Sequence, residues 1–156
     1  VSFTEDMRER GFVPRTQVLS AELVAAAAEI AERLQLPPGQ ELAKLERLRL
    51  ADGEPMAIEE SYLVHAYCPG VLEGDYAALP LREALERRYG IRLVRARQVI
   101  RAVLAGKREA ELLGIKPKAA LLFIERVSYS QHDLPVEFLR IHYRADRYSL
   151  YNELQG

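Results

Sequence analysis

The sequence predicts an α+β domain in which a mainly antiparallel β-sheet carries helices packed on one of its faces. Three observations lead to this prediction. Apolar strand patterns occur in pairs separated by turn residues, as in β-hairpins. Helix patterns lie between those pairs. A helix-hairpin unit also occurs twice, with matching residues at a constant offset of 79 positions, as from Ala31 to Ala110.

The first helix is predicted over residues 21–34, because apolar side chains recur there at spacings of three and four residues. Pro37-Pro38-Gly39 follows as a stop signal. Residues 42–50 and 54–64 flank Ala51-Asp52-Gly53, a turn sequence that predicts the first β-hairpin.

A second helix is predicted over residues 80–89, which carry an apolar stripe, begin with a proline and are followed by Gly90. Residues 91–105 are rich in Val, Ile and Arg and contain no turn residue before Gly106, so we expect a long strand. Residues 107–113 then form a short helix.

The second hairpin is predicted over residues 120–130 and 135–143, around the turn Gln131-His132-Asp133-Leu134. In both hairpins the second strand opens with a proline, Pro55 or Pro135. The repeat unit is therefore helix, loop, strand, turn, strand, and two copies indicate a pseudo-twofold axis. Chance similarity between two amphipathic hairpins is the alternative.

Composition limits the class of protein. With 156 residues, 49% of them hydrophobic and 29% charged, the chain fits one globular domain. The net charge of −1 offers no overall attraction for nucleic acid, and no apolar run approaches the roughly 18 residues of a membrane helix. Cys68 is the single cysteine, so no intrachain disulfide can form, and Val1 opens a polar stretch unlike a secretory signal. We expect a cytoplasmic location.

Polar side chains collect on one face of the two hairpins. Side chains alternate along a strand, so Arg47 and Arg49 share the face opposite the leucines between and after them. Glu59 falls on the arginine face of the partner strand. Glu137 and Tyr143 share a face in the second hairpin, and we expect them to complete the cluster across a cleft between the copies.

Paired arginines match the geometry of a carboxylate or phosphate, and glutamates accept hydrogen bonds from hydroxyl or amine groups, so this set predicts a site for a small polar anion. The alternative is a row of exposed cross-strand ion pairs, each worth about 0–1 kcal/mol. Strand alternation alone leaves both interpretations open.

Metal and cofactor sites are not predicted. His65 and Cys68 have a ligand-like spacing, but the other histidines, His132 and His142, form no second paired motif. The sequence contains neither a G-x-S-x-G nucleophile motif nor a glycine-rich phosphate loop. We therefore expect no metal, no cofactor and no nucleophilic catalysis.

Several segments match a known family in order and spacing. They are Ser2-Phe3-Thr4-Glu5-Asp6-Met7, Leu45-Glu46-Arg47-Leu48-Arg49-Leu50-Ala51-Asp52-Gly53-Glu54-Pro55, Ile58-Glu59-Glu60-Ser61-Tyr62-Leu63, Pro135-Val136-Glu137 and Tyr143-Arg144-Ala145-Asp146-Arg147-Tyr148. Through them the chain resembles the effector-binding UTRA domain of HutC-subfamily, GntR-type bacterial transcription regulators.

The resemblance implies a chorismate-lyase-like α+β fold, a homodimer and no enzymatic activity. It also implies that DNA is bound only through an N-terminal winged-helix domain outside this chain. The implied ligand is a metabolite such as a sugar phosphate, an amino-acid derivative or an organic acid. Its anionic group would bind Arg47 and Arg49. The implied contacts to the rest of the ligand come from Glu59, Glu137 and Tyr143, with Phe3 and Thr4 at the pocket mouth.

One segment departs from the family pattern. Sugar-phosphate-sensing relatives often begin the second helix with Ser-Leu-Tyr, whereas this chain has Pro80-Leu81-Arg82 and so lacks a hydroxyl that would contact phosphate. Either Arg82 compensates with its charge or the ligand carries a carboxylate; for Arg82 itself, the favoured alternative is an exposed helix arginine without a ligand contact. Two other functions stay open: a lyase that uses Glu59 or Glu137 as a general acid, and a dimerisation spacer with a closed pocket and no ligand.

Overall fold

The computed structural model describes residues 3–156, so Ser2 of the opening motif lies outside the described residues. This part of the chain forms a six-stranded sheet whose neighbouring strands all run antiparallel, with helices packed against it. The predicted α+β class is therefore confirmed. Within the same residues, no helix has the length and apolar character required to cross a bilayer.

The sheet order is β1-β2-β3-β6-β5-β4. In chain order the elements are α1 (Phe3–Glu9), β1 (Pro14–Ala25), α2 (Ala28–Arg33), β2 (Glu41–Ala51), β3 (Glu54–Val64), two short 3-10 turns (His65–Tyr67 and Val71–Glu73), α3 (Leu81–Tyr89), β4 (Leu93–Leu104), α4 (Lys107–Leu113), β5 (Ala120–Ser130) and β6 (Pro135–Arg144).

The two copies of the repeat are visible in the strand bounds. β1 begins at residue 14 and β4 at residue 93, while β2 begins at 41 and β5 at 120, so both pairs are 79 positions apart. The unit β1-α2-β2-β3 thus recurs as β4-α4-β5-β6. β3 and β6 pair with each other at the centre of the sheet, with Glu60 opposite Arg140. The pseudo-twofold axis therefore passes through the middle of the sheet, and β1 and β4 form its two edges.

The predicted helix over residues 21–34 is wrong in its first half. Residues up to Ala25 belong to β1, which pairs with β2 from Pro14 to Ala25, and the helix α2 covers only Ala28–Arg33. β1 is an edge strand with much of its surface in solvent, and Leu23 is 49% exposed. An edge strand needs no clear alternation of apolar and polar residues, so β1 gave no strand pattern. The alanine-rich sequence that follows it places apolar residues at helical spacing, which made the predicted helix too long at its start.

Helices cover both faces of the sheet, which corrects the one-face prediction. On one face Ile30 of α2 packs with Leu42 and Phe138, and Leu113 of α4 packs similarly. On the other face Leu85 of α3 packs with Leu63, and α1 packs beside it. The inner strands are apolar on both faces, so both must be covered. We call the side that carries α1 and α3 the cavity face.

The turn between β2 and β3 sets the register of the first hairpin. Asp52 and Gly53 both have positive φ, 50° and 79°, as in the two-residue turns whose twist suits a hairpin. Because the turn is short, the pairing of the strands is fixed, and Arg47 lies directly opposite Glu59. A one-residue slip would move both side chains to the other face.

Candidate functional site

A cavity of about 1430 Å³ lies on the cavity face, between the sheet and the segments that cover it. Its floor is formed by side chains of β2, β3, β5 and β6, and its walls by α1, residues 76–86 and residues 148–152. This volume exceeds the roughly 300–1,000 Å³ of most small-molecule pockets. All eight residues predicted from the sequence line it: Phe3, Thr4, Arg47, Arg49, Glu59, Arg82, Glu137 and Tyr143.

Two arginines on β2 share a single carboxylate on β3. Arg47 donates from Nη2 to Oε1 of Glu59 at 3.1 Å, and Arg49 donates from Nε to Oε2 of Glu59 at 2.8 Å. Arg49 also donates from Nη1 to the hydroxyl of Thr16 on β1 at 2.9 Å. Arg47 is 2% exposed and Glu59 8% exposed. The group is therefore buried, which contradicts the alternative of solvent-exposed surface ion pairs.

The arginines determine the charge state of Glu59. Burial by itself would raise the pKa of the Glu59 carboxyl, but the guanidinium groups of Arg49 and Arg47 together lower it to about 2. Burial in turn lowers the pKa of Arg47, and the charge of Glu59 opposes that effect. Nε of Arg47 is buried and has no hydrogen-bond partner among residues 3–156. This end of the floor thus holds two guanidinium groups that share one carboxylate, and an unused donor.

Glu137 and Tyr143 approach the same floor from β6. Burial, with the neighbouring charge of Glu59, raises the pKa of Glu137 above its ordinary value. Burial also raises the pKa of Tyr143 well above its usual range, and its ring stacks on Tyr148 at 3.9 Å between centroids. The Tyr143 hydroxyl can therefore donate and accept hydrogen bonds, and the carboxyl oxygens of Glu137 can accept them.

The remaining three predicted residues lie at the cavity wall. The ring of Phe3 is buried, and the guanidinium carbon of Arg49 lies 5.5 Å from its centroid. Thr4 is half-buried on the same helix. Arg82 is exposed and donates to the backbone carbonyl of Leu93 at 2.7 Å. α3 starts without a side-chain cap, as the Pro80-Leu81-Arg82 sequence implies.

Sequence reasoning missed several residues that line the cavity, among them Arg126 and Ser128 on β5 and Tyr148 near the C-terminus. Arg126 follows Glu125 as Arg47 follows Glu46, 79 positions earlier. The repeat therefore contained the signal, because equivalent residues of two pseudo-symmetric copies face the same side of the sheet. Tyr148 carries no comparable signal, because it lies after the last strand.

The residues considered for metal binding lie apart from this cavity. Nδ1 of His65 is 2.8 Å from Glu41, and the thiol of Cys68 is buried and 3.4 Å from the carbonyl oxygen of Val64. Burial raises the pKa of Cys68 to about 12, so the thiol stays protonated. His142 is half-buried on the opposite face, where its ring lies 4.5 Å from that of Phe123.

The model of the UTRA domain family matches residues 9–149. Among curated relatives, the HTH-type transcriptional repressor NagR of Bacillus subtilis (strain 168) is 34% identical over 148 residues, which are 95% of this chain and 60% of the relative. The HTH-type transcriptional repressor PhnF of Mycolicibacterium smegmatis is 31% identical over 147 residues, or 94% of this chain and 59% of the relative. The chain thus spans about three-fifths of the length of these relatives.

Solved structures show the same fold. The effector domain of PhnF from Mycobacterium smegmatis superposes with a TM-score of 0.92 at 28% identity, covering 99% of this chain and 95% of that one. A GntR-family transcriptional regulator from Enterococcus faecalis V583 superposes with a TM-score of 0.81 at 28% identity, covering 89% of this chain and 99% of that one.

Proposed function

This chain belongs to the UTRA domain family, and on that basis we propose that it is the ligand-sensing domain of a bacterial transcription regulator. It binds a small anionic metabolite and thereby controls a DNA-binding domain that lies outside this sequence. Relatives named as HTH-type transcriptional repressors support this proposal. This chain corresponds to only about three-fifths of their length, as expected for one domain of a longer regulator. A cytoplasmic location follows from a role in transcription.

The observation that carries the proposal is the buried group of Arg47, Arg49 and Glu59 on the cavity floor. Two guanidinium groups share only one carboxylate there, and Nε of Arg47 still lacks an acceptor. A buried cation without a counter-charge is unfavourable. A ligand carboxylate or phosphate would supply both the missing charge and the missing acceptor.

The other lining residues give the proposed site its selectivity. Glu59, Glu137 and Tyr143 offer acceptors and donors for hydroxyl or amine groups of the metabolite. Phe3 and Thr4 border the entrance, and Arg82 supplies a further positive charge at the wall. The anionic group can be a carboxylate or a phosphate, since arginine pairs bind both.

We also propose a homodimer whose arrangement changes when the ligand binds. β4 is an edge strand with four exposed apolar residues: Val94, Val99, Ile100 and Leu104. Such an edge is covered in most stable proteins, and a second copy would cover it here. A ligand that binds one dimer arrangement more tightly shifts the population toward it, which would reposition the attached DNA-binding domains.

A thermal-shift screen of organic acids and sugar phosphates tests the proposal. Compounds that raise the melting temperature of the wild type should have no effect on the Arg47→Ala, Arg49→Ala double variant, because the anion loses both guanidinium partners. Arg15→Ala, at an exposed position of β1, should respond like the wild type. Circular dichroism verifies that each variant is folded. Equal stabilisation of the folded double variant would refute the proposal.

One alternative is a lyase on the same fold, in which the buried Glu137 that lines the cavity would act as the general acid. Conversion of enol-pyruvyl or aromatic acids by the purified protein would support it, and binding without product formation would exclude it for those acids. The open cavity supports the ligand-sensing proposal over the spacer alternative, which predicted a closed pocket.

A further inference from the structure

Arg126 lies on the cavity floor at the opposite end from Arg47. Residues that lie opposite one another on successive strands form a row across the sheet. Arg47, Glu59 and Ile141 lie in one row. Arg126 and Leu139 lie in the next row on the same face, two residues further along the strands. The two arginines are therefore three strands and one row apart, and their Cα atoms are about 16 Å apart by standard sheet spacing. Two extended arginine side chains with a short ligand between them span such a distance.

Unlike Arg47 and Arg49, Arg126 has no carboxylate partner. Its Nε donates to the neutral amide oxygen of Gln98 on β4 at 2.9 Å. Within residues 3–156, none of the acidic groups lies within ion-pair distance of Arg126. Its side chain is half-buried and lines the cavity beside the buried Ser128. The charge of Arg126 nevertheless reaches the centre of the floor, since it lowers the pKa values of both Glu59 and Glu137.

The positive charges of the floor lie at two separate ends. Arg47 and Arg49 share the carboxylate of Glu59, whereas Arg126 has only the neutral amide of Gln98 as a partner. One ligand anion at Arg47 and Arg49 would compensate the buried end and leave Arg126 unpaired. A partly desolvated arginine gains most from a charged acceptor of its own.

We propose that the ligand is a short dianion, one acidic group of which binds Arg47 and Arg49 while the other binds Arg126 with the hydroxyl of Ser128. The ligand class is an α,ω-dicarboxylic acid or a phosphocarboxylic acid. This inference rests on the proposed anion-binding function of the same cavity and adds a second subsite to it.

Calorimetric titration with succinate, glutarate, adipate and pimelate, each compared with its own half-amide, tests the second subsite. The half-amide has the same length but a single charge. We expect at least one diacid to bind the wild type about tenfold or more tightly than its half-amide, because a charge-assisted contact to arginine is lost in the half-amide.

The variants assign this preference to one residue. Arg126→Gln should bind the diacid and the half-amide equally, and Arg126→Lys should keep part of the preference because it keeps the charge. Arg15→Gln, at an exposed position of β1 that does not line the cavity, should behave like the wild type. Arg49→Gln should weaken both ligands.

The outcomes separate this inference from the proposed function. Equal binding of diacids and half-amides to the wild type, or a diacid preference that survives in Arg126→Gln, would overturn the second subsite and leave the anion site at Arg47 and Arg49 in place. If none of the acids binds and the same series extended to ω-phosphonocarboxylates also fails, the second subsite is wrong. Failure of the wider screen of organic acids and sugar phosphates would remove the proposed function as well.

Discussion

Glu59 is the carboxylate that the two buried arginines share, so its ionisation links pH to folding. Its folded pKa of about 2 is below its ordinary value of 4.5. A depressed carboxyl pKa contributes stability that is present above pH 4.5 and is lost as the pH falls toward 2. For a fully buried carboxylate with this shift, the contribution is roughly 3 kcal/mol.

We therefore predict that the free energy of unfolding of the wild type falls by roughly 3 kcal/mol more than that of Glu59→Gln between pH 5 and pH 2. Urea denaturation followed by circular dichroism at several pH values measures this difference. Glu22→Gln, an exposed glutamate on β1, should retain the full pH dependence. A parallel decline in wild type and Glu59→Gln would show that the arginines do not hold this carboxylate.

At the scale of residues, strand alternation was enough to group Arg47, Arg49, Glu59, Glu137 and Tyr143, because a period of two leaves only two faces to choose from. It could not show that both faces are buried, since a run of leucines identifies one core face and gives no information about the other. The cavity could not be predicted from strand alternation, because it forms only when α1 and α3 pack over the arginine face.

At the scale of elements, both hairpins, α3, β4 and α4 were predicted within a few residues of their observed bounds. Their turn residues and apolar patterns are local signals. β1 was missed because its strand character depends on pairing with β2, which is a tertiary contact. The short helix α2 was correctly located but extended backward into that strand.

The exposed apolar residues of the edge strand β4 make it the expected surface of the proposed dimer. β4 exposes Val99 at 53% and Ile100 at 40%, among other apolar residues. We expect Val99→Lys to convert a dimer into a monomer, because a lysine on an edge strand disfavours strand-to-strand contact. Leu23→Lys on β1 is the matched control and should leave the mass unchanged. Light scattering after gel filtration measures both, and an unchanged dimer in Val99→Lys would place the interface elsewhere.

At the scale of the whole molecule, the pseudo-twofold axis gives each half an equivalent core. Leu34 follows α2 and Leu113 ends α4, 79 positions later, and they are 1% and 0% exposed. We predict that Leu34→Ala and Leu113→Ala each lower the free energy of unfolding by about 2–5 kcal/mol, in a single transition. Urea denaturation measures this loss. Leu134→Ala, at 46% exposure, should change little, and a second transition in either core variant would show that the halves unfold separately.

The two repeats place different partners opposite their equivalent arginines, and this difference affects the orientation of a ligand in the cavity. Arg47 faces Glu59 across its hairpin, whereas the equivalent Arg126 faces Leu139. The backbone is thus nearly symmetric but the chemistry is not. A compound with unlike ends would meet two arginines that share a carboxylate at one terminus and a single arginine at the other. One direction of insertion would therefore be preferred, and the end-to-end reversed orientation would be disfavoured without any steric obstacle.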